Sequence, residues 1–453
     1  MPRRRLRTAD ITPSPARLLG SLRDVGYDFV TAIADLVDNS ISAGARRVAV
    51  EISYDQGPAR VVVADNGSGM TRARLGEALR LGSMREYESD DLGKFGLGLK
   101  TASLSQCRRL TVVTRHSPAN YRIAGATLDI DAVATSNRWR LSEDTNEVAD
   151  SEATRWLVGG TGTVVVWEKL DRLVADDGLL GGWDKRRLRS MADNTRAHLA
   201  MVFHRFIEGI PGKPRLRLVV NGKKVRAWNP FAPSERYTRV LPEQGFELDA
   251  PEGSATVRVR GHVLPPRDLF SSQEAFESLG GPRRWNRQQG FYIYRNDRLI
   301  QSGGWSGMRA ADEHTKLARV SVDFPSALDE LFKVNIAKMR VAIPSRLRTL
   351  LERAVLDSVK EAQSAYRGDL KVVRPEAAGR PRVEHSGALN APVYGEFMIA
   401  LRAAAMATGD GRALSRIFAR LKKEDPELAV MAGLAVGRAA GVSKKRRATP
   451  EVG

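Results

Sequence analysis

The sequence predicts an α/β protein with two α/β units followed by a short helical region. Apolar residues recur at helical spacing from Ile33 to Ile41, and the segments 48–52 and 60–64 then alternate as strands do. More strand-like segments follow residue 175, and a helical pattern covers residues 345–366. Alternating helical and strand patterns are typical of α/β domains. We therefore expect helices layered on one mixed sheet in the first unit.

Residues 1–175 should form this first unit. A turn-forming segment that contains Gly57 and Pro58 separates its first two strands, which predicts a hairpin. The β-branched segments 110–114 and 163–167 supply two further strands.

Residues 176–370 should form a second, smaller α/β unit. Its helical and strand-like segments lie at 191–207, 216–220, 256–263, 291–294 and 345–366. Residues 371–453 begin with a linker rich in proline, glycine and charge, and continue with alanine-rich helical patterns and a basic tail.

The charge balance indicates a polyanionic partner. The chain of 453 residues has 72 Lys and Arg against 53 Asp and Glu, a net charge of +19. Such a protein attracts nucleic acid through counterion release. The single cysteine, Cys107, excludes an internal disulfide, and no apolar run approaches the roughly 20 residues that span a bilayer. We expect a cytoplasmic protein without a membrane segment.

The first of three motifs lies on the helix predicted at residues 32–44, which read AIADLVDNSISAG. Asp35 and Asn39 stand four residues apart, so both side chains can point into one pocket. A general base and a metal-ligating amide need this arrangement. Gly44 follows the helix, where a left-handed residue is favoured. Asp38 is a poorer candidate for the base because around the helix it lies about 60° further from Asn39 than Asp35 does.

The second motif, VADNGSGM, covers residues 63–70. It places Asp65 at the end of an apolar strand, and Gly67 and Gly69 then permit a tight turn that ends at Met70.

The third motif, GKFGLGLKTAS, covers residues 93–103 and is rich in glycine ahead of a helix that begins near Leu99. Backbone N–H groups in such a loop bind phosphate oxygens, and Lys94 and Lys100 would add positive charge. The polar segment 81–92 would form a lid. The pattern GxxxxGK[ST] is not matched here, which argues against a P-loop enzyme.

Together the three motifs resemble the nucleotide site of the GHKL ATPases, the superfamily of gyrase, the heat-shock chaperone, histidine kinases and MutL. The resemblance implies a Bergerat α/β sandwich that binds ATP and Mg²⁺. It implies that Asp35 is the general base, that Asn39 holds the metal, and that Asp65 accepts a hydrogen bond from the adenine amine. The ATP-binding residues that it implies are Asn39, Asp65, Gly67, Gly69, Met70, Gly93, Lys94, Phe95, Gly96, Leu97, Gly98, Leu99, Lys100 and Thr163.

One position departs from the family pattern. The superfamily usually has Glu where this chain has Asp35, which is shorter by one methylene. Either water sits closer to the helix, or hydrolysis is slow and nucleotide binding is the larger part of the function.

Two later segments resemble MutL and its relatives. The strand GTGTVVVW, residues 160–167, resembles the one whose Thr, here Thr163, reaches the adenine-binding Asp. FKVNIAKMRVAI, residues 332–343, resembles the stretch of an S5-like transducer domain whose lysine, here Lys338, contacts the γ-phosphate and is part of the catalytic set. GFYIYRNDRLIQSGGW, residues 290–305, looks most like MORC-type proteins, and we expect a turn at Asn296 and Asp297. The resemblance covers roughly residues 15–345.

The branch of the superfamily follows from what surrounds the site. A histidine kinase is excluded because about 30 residues precede Asp35 and none of them is a histidine. A chaperone that remodels protein clients remains the alternative. The preferred interpretation is a weak ATPase that acts as an ATP-gated homodimeric clamp on DNA.

By its resemblance to bacterial MORC-like proteins, the chain would serve restriction, defence or repair beside a separate nuclease. An arm with Arg3, Arg4, Arg5 and Arg7 would reach the partner chain, and the tail 444–447 would contact phosphates. The pathway, the choice among DNA, RNA and a protein client, and the role of residues 371–453 stay open.

Overall fold

The fold is described from a computed structural model, for residues 13–24, 27–53, 58–80, 98–117, 122–143, 146–173, 182–251, 253–335, 338, 341–367 and 411–424. The chain divides into two compact units, residues 1–371 and 372–453. Both sheets belong to the first unit, which also holds every residue of the candidate site that the structure describes.

A seven-stranded mixed sheet forms the N-terminal part of the first unit, which confirms the predicted fold class. Its order is β4-β3-β5-β2-β1-β6-β7. Within the described residues β1 and β6 pair in parallel, and the other neighbours pair antiparallel. Its strands are β1 (Arg47–Ser53), β2 (Arg60–Asp65), β3 (Arg109–Arg115), β4 (Ala124–Asp129), β5 (Gly162–Glu168), β6 (Arg217–Val220) and β7 (Lys223–Lys224).

Helices cover both faces of this sheet because the side chains of each strand alternate between the faces. The helices are α1 (Pro15–Arg23), α2 (Phe29–Ser42), α3 (Arg72–Leu79), α4 (Gly98–Leu104), α5 (Ile130–Ser136), α6 (Glu147–Leu157), α7 (Gly182–Val202) and α8 (His204–Glu208). Trp167 of β5 packs into the core that contains α2, where its ring meets Phe29 edge-on at 6.2 Å. Val164 and Val166 face the other way, into a smaller core with α6.

The first sheet includes two strands, β6 and β7, that follow residue 175 in the sequence. β6 and β7 lie at residues 217–224, yet β6 pairs with β1 from Arg47 to Val50. The helix α7 separates these strands from the rest of the sheet in sequence. The domain boundaries at 175 and 370 remain a prediction.

A six-stranded sheet forms the second α/β part of this unit. Its strands are β8 (Arg239–Val240), β9 (Gln244–Ala250), β10 (Gly253–Val263), β11 (Gly290–Arg295), β12 (Arg298–Ser302) and β13 (Ala318–Phe324). The order is β12-β11-β13-β10-β8, and β9 also pairs with β10. The turn predicted between β11 and β12 is present, with positive φ at Asn296 and Asp297.

Three helices accompany the second sheet: α9 (Gln273–Leu279), α10 (Arg284–Gln288) and α11 (Ser345–Arg367). α11 presents Leu347, Leu351 and Val355 to the second core at helical spacing. It lies close to β10, since a Cβ built on Gly261 would approach Ser358 Oγ to 2.3 Å. The predicted helix at 345–366 is confirmed.

The second compact unit contributes one described helix, Gly411–Glu424. Among the described helices none is both long enough and apolar enough to cross a membrane.

Candidate functional site

The candidate site is built on α2, a helix with clear start and stop signals. Asp28 caps its N-terminus by accepting a hydrogen bond from the Thr31 N–H at 2.8 Å. At the other end Gly44 adopts φ +73° after the last turn. Between these ends the helix is buried on nearly all sides, and Asp35 and Asp38 are 2% and 0% exposed. Two buried carboxylates need compensating partners.

Those partners come from the second α/β part of the unit. Lys338 Nζ lies 3.3 Å from Asp35 Oδ1 and 2.6 Å from Asp38 Oδ2. Arg298 of β12 donates from Nε to both oxygens of Asp38 at 3.3 and 3.1 Å, and its Nη2 lies 3.9 Å from Asp35. Two cations therefore face two carboxylates, so the buried charge is balanced.

Arg298 also fixes the backbone that carries the lysine. Its Nη1 donates to the Lys338 carbonyl oxygen at 3.0 Å. The φ of Lys338 is +48°, in the left-handed region that residues other than glycine rarely adopt. One guanidinium thus holds both the helix that carries Asp38 and the loop that carries Lys338.

A tyrosine completes the surroundings of Asp35. The Tyr27 hydroxyl donates to Asp35 Oδ2 at 2.8 Å. Burial, together with the nearby Asp35 charge, raises the pKa of Tyr27 far above its usual range, so the phenol stays protonated and donates. Burial also raises the pKa of Asp35, with Lys338 opposing this shift and Asp38 adding to it.

The two oxygens of Asp35 keep acceptor capacity for a further donor. Each carboxylate oxygen has two lone pairs, and each is engaged here by a single close donor, Lys338 or Tyr27. A Cβ built on Gly98 would lie 3.6 Å from Asp35 Oδ2. The third motif therefore reaches the first motif at the carboxylate.

Asn39 lies one turn after Asp35 on α2 and is exposed. No group of three or more His, Cys, Asp or Glu side chains that could hold a metal occurs in the described ranges. Mg²⁺ commonly keeps several waters and binds through one or two protein oxygens and substrate phosphates. The single exposed amide of Asn39 fits that kind of binding.

Asp65, at the end of β2, is held by three donors. The Ser40 hydroxyl donates to its Oδ2 at 2.9 Å, and the N–H groups of Gly67 and Thr163 donate to Oδ1 at 2.8 and 3.3 Å. Burial raises the pKa of Asp65, and these three bonds oppose that shift. Ser40 lies on α2, so this bond joins the first two motifs directly.

Thr163 contacts Asp65 through its backbone N–H, whereas its side chain contacts Thr114. Its hydroxyl lies 3.2 Å from Thr114 Oγ1, which also accepts the Met70 N–H at 2.9 Å. The turn between Asp65 and Met70 packs tightly, because a Cβ on Gly69 would approach the Arg115 carbonyl oxygen to 2.0 Å. The structure thus brings Thr163 and the second motif together.

The third motif is described only in part. Gly98, Leu99 and Lys100 open α4, whereas Gly93, Lys94, Phe95, Gly96 and Leu97 and the lid at 81–92 lie outside the described residues. Lys100 is buried, and its Nζ donates to the Arg80 carbonyl oxygen that follows α3. Burial lowers the pKa of this amine to about 8. In this structure Lys100 therefore binds the end of α3.

Sequence reasoning missed three residues of the site, Tyr27, Ser40 and Arg298, and gave a fourth, Asp38, only a minor place. Asp38 was considered only as a weaker base, and the structure gives it two cations as partners. Arg298 lies in the segment RNDRLI that the resemblance to MORC-type proteins already singled out. Tyr27 and Ser40 carried no signal, because a lone hydroxyl beside a helix motif is common.

Comparison with known proteins agrees with this geometry. Residues 27–156 match a family described as "Histidine kinase-, DNA gyrase B-, and HSP90-like ATPase". The chain is similar to the DNA mismatch repair protein MutL of Rhodopseudomonas palustris strain HaA2, with 36% identity over 91 residues. It is also similar to MutL of Shewanella sediminis, with 40% identity over 91 residues, and of Afipia carboxidovorans, with 31% over 110 residues.

These similarities cover 19%, 19% and 23% of this chain. They span 15%, 14% and 17% of the MutL proteins of Rhodopseudomonas, Shewanella and Afipia, respectively.

Proposed function

We propose that this GHKL-type, MutL-like ATP-binding protein is a slow Mg²⁺-dependent ATPase that works as an ATP-gated homodimeric clamp on DNA. The observation that carries the proposal is the contact between Asp35 and Lys338, which are 303 residues apart. The proposed general base and the proposed γ-phosphate sensor meet at 3.3 Å. Such a contact can link nucleotide chemistry to the movement of one α/β part against the other.

The nucleotide would be bound by residues from all three motifs. Asp65 would accept a hydrogen bond from the adenine amine, while Ser40 and the Gly67 and Thr163 N–H groups fix the carboxylate. Asn39 would hold Mg²⁺, which neutralises phosphate charge when it is bound. Gly93, Gly96 and Gly98 would supply phosphate-binding N–H groups.

For hydrolysis, Asp35 would accept a proton from the attacking water while Tyr27 keeps its carboxylate oriented. Lys338 would exchange its carboxylate partners for the γ-phosphate, so that its position reports the nucleotide. The reaction would be slow for two reasons. Asp35 is shorter than the Glu of the superfamily, and Lys338 must leave the carboxylates before it can bind phosphate.

Net charge and the names of the relatives support the clamp part of the proposal. A net charge of +19 favours a polyanion, and the relatives in the comparison carry the name DNA mismatch repair protein. ATP would close the lid at 81–92 and join two chains. The arm with Arg3, Arg4, Arg5 and Arg7 and the tail at 444–447, all outside the described residues, would add contacts to the partner and to DNA.

The setting of this clamp is a proposal as well. We place it in the cytoplasm, in restriction, defence or repair, beside a separate nuclease. The buried Cys107 fits a reducing compartment.

Sedimentation of the full chain tests the clamp, with and without a non-hydrolysable ATP analogue and a DNA duplex. We expect a monomer alone, a dimer with the analogue, and DNA that co-sediments with the dimer. A monomer that ignores DNA in both conditions would end the clamp proposal and favour the chaperone alternative.

Calorimetry tests the nucleotide site independently. Asp65→Ala should weaken ATP binding by about 1.5–3 kcal/mol, because it removes a hydrogen bond to a carboxylate. Asp65→Asn, which keeps the shape and one acceptor, should lose less. Equal ATP affinity for the wild type and Asp65→Ala would contradict the assignment of Asp65.

A further inference from the structure

We propose that the free edge of the first sheet is a surface that binds the phosphate backbone of duplex DNA. This basic edge consists of six exposed side chains, Arg46, Arg47, Arg217, Lys223, Lys224 and Arg226. The inference rests on the proposed function, because it names the surface on which the clamp would hold its DNA.

The sequence of the edge carries only positive charge. Between Gly209 and Ser234 there are six Lys and Arg residues and no Asp or Glu. Exposed basic residues usually alternate with acidic ones on a protein surface, so 26 residues without an acid form a one-sign segment. The hairpin of β6 and β7 lies in the middle of it.

The ladder lines the charges up across three strands. Arg47 of β1 is the register partner of Arg217 in the parallel pair. In the hairpin, Val219 pairs with Lys224, and the Val225 N–H donates to the Leu218 carbonyl at 2.9 Å. One step further, the same register places Arg226 opposite Arg217.

Three arginines therefore stand in one row, Arg47, Arg217 and Arg226. Neighbouring strands are about 4.8 Å apart, so the row spans about 10 Å. Like charges directly opposite each other destabilise a sheet. A bound polyanion removes that repulsion, and duplex DNA offers one phosphate per about 3.4 Å along each strand.

Within the described residues, no ion pair neutralises these six side chains. Other basic residues at this sheet are paired: Arg155 of α6 binds Glu51 of β1 through two nitrogens at 2.6 and 2.7 Å, and Arg109 of β3 binds Asp129 of β4 at 3.0 Å. Near the edge, Lys213 contacts Asp297 at 3.3 Å and is left out of the surface for that reason. The six side chains of the basic edge differ from these residues because they have no acidic partner among the described residues.

The chemistry of the surface favours duplex DNA over other polyanions. Proteins that bind single strands stack bases on exposed aromatic rings, and surfaces that bind membranes insert apolar side chains. Among the described residues, the exposed large hydrophobic side chains lie elsewhere, at Ile123, Trp139, Val158, Val240, Leu350, Leu356 and Tyr366. Arginines and lysines contact phosphates, and phosphate contacts do not depend on the base sequence.

The test compares two triple variants of the full chain that lose the same charge. Arg47→Gln, Arg217→Gln and Lys224→Gln remove three of the six positive charges of the basic edge. The control, Arg258→Gln, Arg353→Gln and Lys360→Gln, neutralises three exposed residues on β10 and α11. Fluorescence anisotropy of a labelled DNA duplex is measured over a range of KCl concentrations, in the presence of the ATP analogue.

We expect the edge variant to bind the duplex at least about tenfold more weakly near physiological salt, and the control to match the wild type. The slope of log K against log[KCl] should fall in magnitude by about 2.7 for three lost phosphate contacts. ATP affinity should be unchanged in both variants, because none of the six substitutions lies in the nucleotide site. The double variant Lys223→Gln, Lys224→Gln should show about two thirds of that decrease in slope, because it loses two phosphate contacts and not three.

Three results would overturn the inference: wild-type slope and affinity in the edge variant, an equal loss in the control, or a loss confined to single strands, RNA duplex or phosphatidylserine vesicles. These results differ from failure of the proposed function. In that case the wild type itself would bind no duplex, or no ATP, at any salt concentration.

Discussion

At the scale of single residues, Asp35 carries the proposed reaction. Asp35→Asn keeps the shape of the side chain and removes its basicity. We expect ATP binding to persist and turnover to fall by about 10²–10⁴-fold, the usual cost of losing a positioned base. Phosphate release under saturating ATP measures this. Asp35→Glu is the matched variant and should speed hydrolysis if reach limits the wild type. Wild-type turnover in Asp35→Asn would show that another group is the base.

The pH dependence of turnover should follow the raised pKa of Asp35. A general base works only when it is deprotonated, so turnover falls as the pH drops through this pKa. The acid limb should therefore lie above the usual value for Asp, about 3.9. Asp38→Asn removes a charge that raises the pKa of Asp35, and its acid limb should move to lower pH. An acid limb that does not move in this variant would contradict the role of Asp35.

At the scale of elements, Arg298 joins β12 to α2. Removing one partner of a buried pair leaves an uncompensated charge and typically costs about 3–5 kcal/mol. We expect Arg298→Met to lower the free energy of unfolding by this order in urea titration. The double variant with Asp38→Asn should lose less than the sum of the two single losses, because the pair is coupled.

A second buried pair serves as the control for Arg298. Arg295 and Asp329 lie in the second sheet and its flanking turn, 2% and 4% exposed, with Nε 2.7 Å from Oδ1. Arg295→Met should lower stability in the same way and leave turnover per folded molecule unchanged. Arg298→Met should lower turnover as well, because Lys338 loses the bond to its carbonyl. Equal turnover in the two variants would reduce Arg298 to a purely structural role.

At the scale of the whole molecule, one residue connects the nucleotide site to the basic edge. Asn66 follows Asp65, and its Oδ1 accepts the N–H groups of Arg46 and Arg47 at 2.9 and 2.7 Å. We expect the ATP analogue to tighten DNA binding, and DNA to tighten analogue binding by the same factor, as linkage requires. Anisotropy and calorimetry measure the two factors.

Asn66→Ala should reduce this coupling factor toward one, and Asn66→Asp, which keeps the acceptor, should retain more of it. Each ligand alone should still bind to Asn66→Ala, since the side chain contacts backbone groups of the edge. A full coupling factor in Asn66→Ala would mean that the link runs elsewhere.

The sequence by itself determined the parts that depend on local chemistry. The periodicity of residues 33–41 and the position of Gly44 predicted α2, because a helix needs only neighbouring residues to satisfy its own backbone. Turn residues likewise predicted the bend at Asn296 and Asp297. The order of the three motifs carried the resemblance to an ATPase, since phosphate loops and carboxylates act through fixed short spacings.

Only the tertiary structure decided which distant groups meet. Asp38 and Arg298 are 260 residues apart, and β6 and β7 join a sheet whose other strands precede α7. A contact of this kind produces no periodic pattern in the sequence. In its local sequence, each partner looks like an ordinary charged surface residue. Burial decides it: once α2 is enclosed, its carboxylates must find cations, and the fold of the second sheet supplies Arg298 and Lys338.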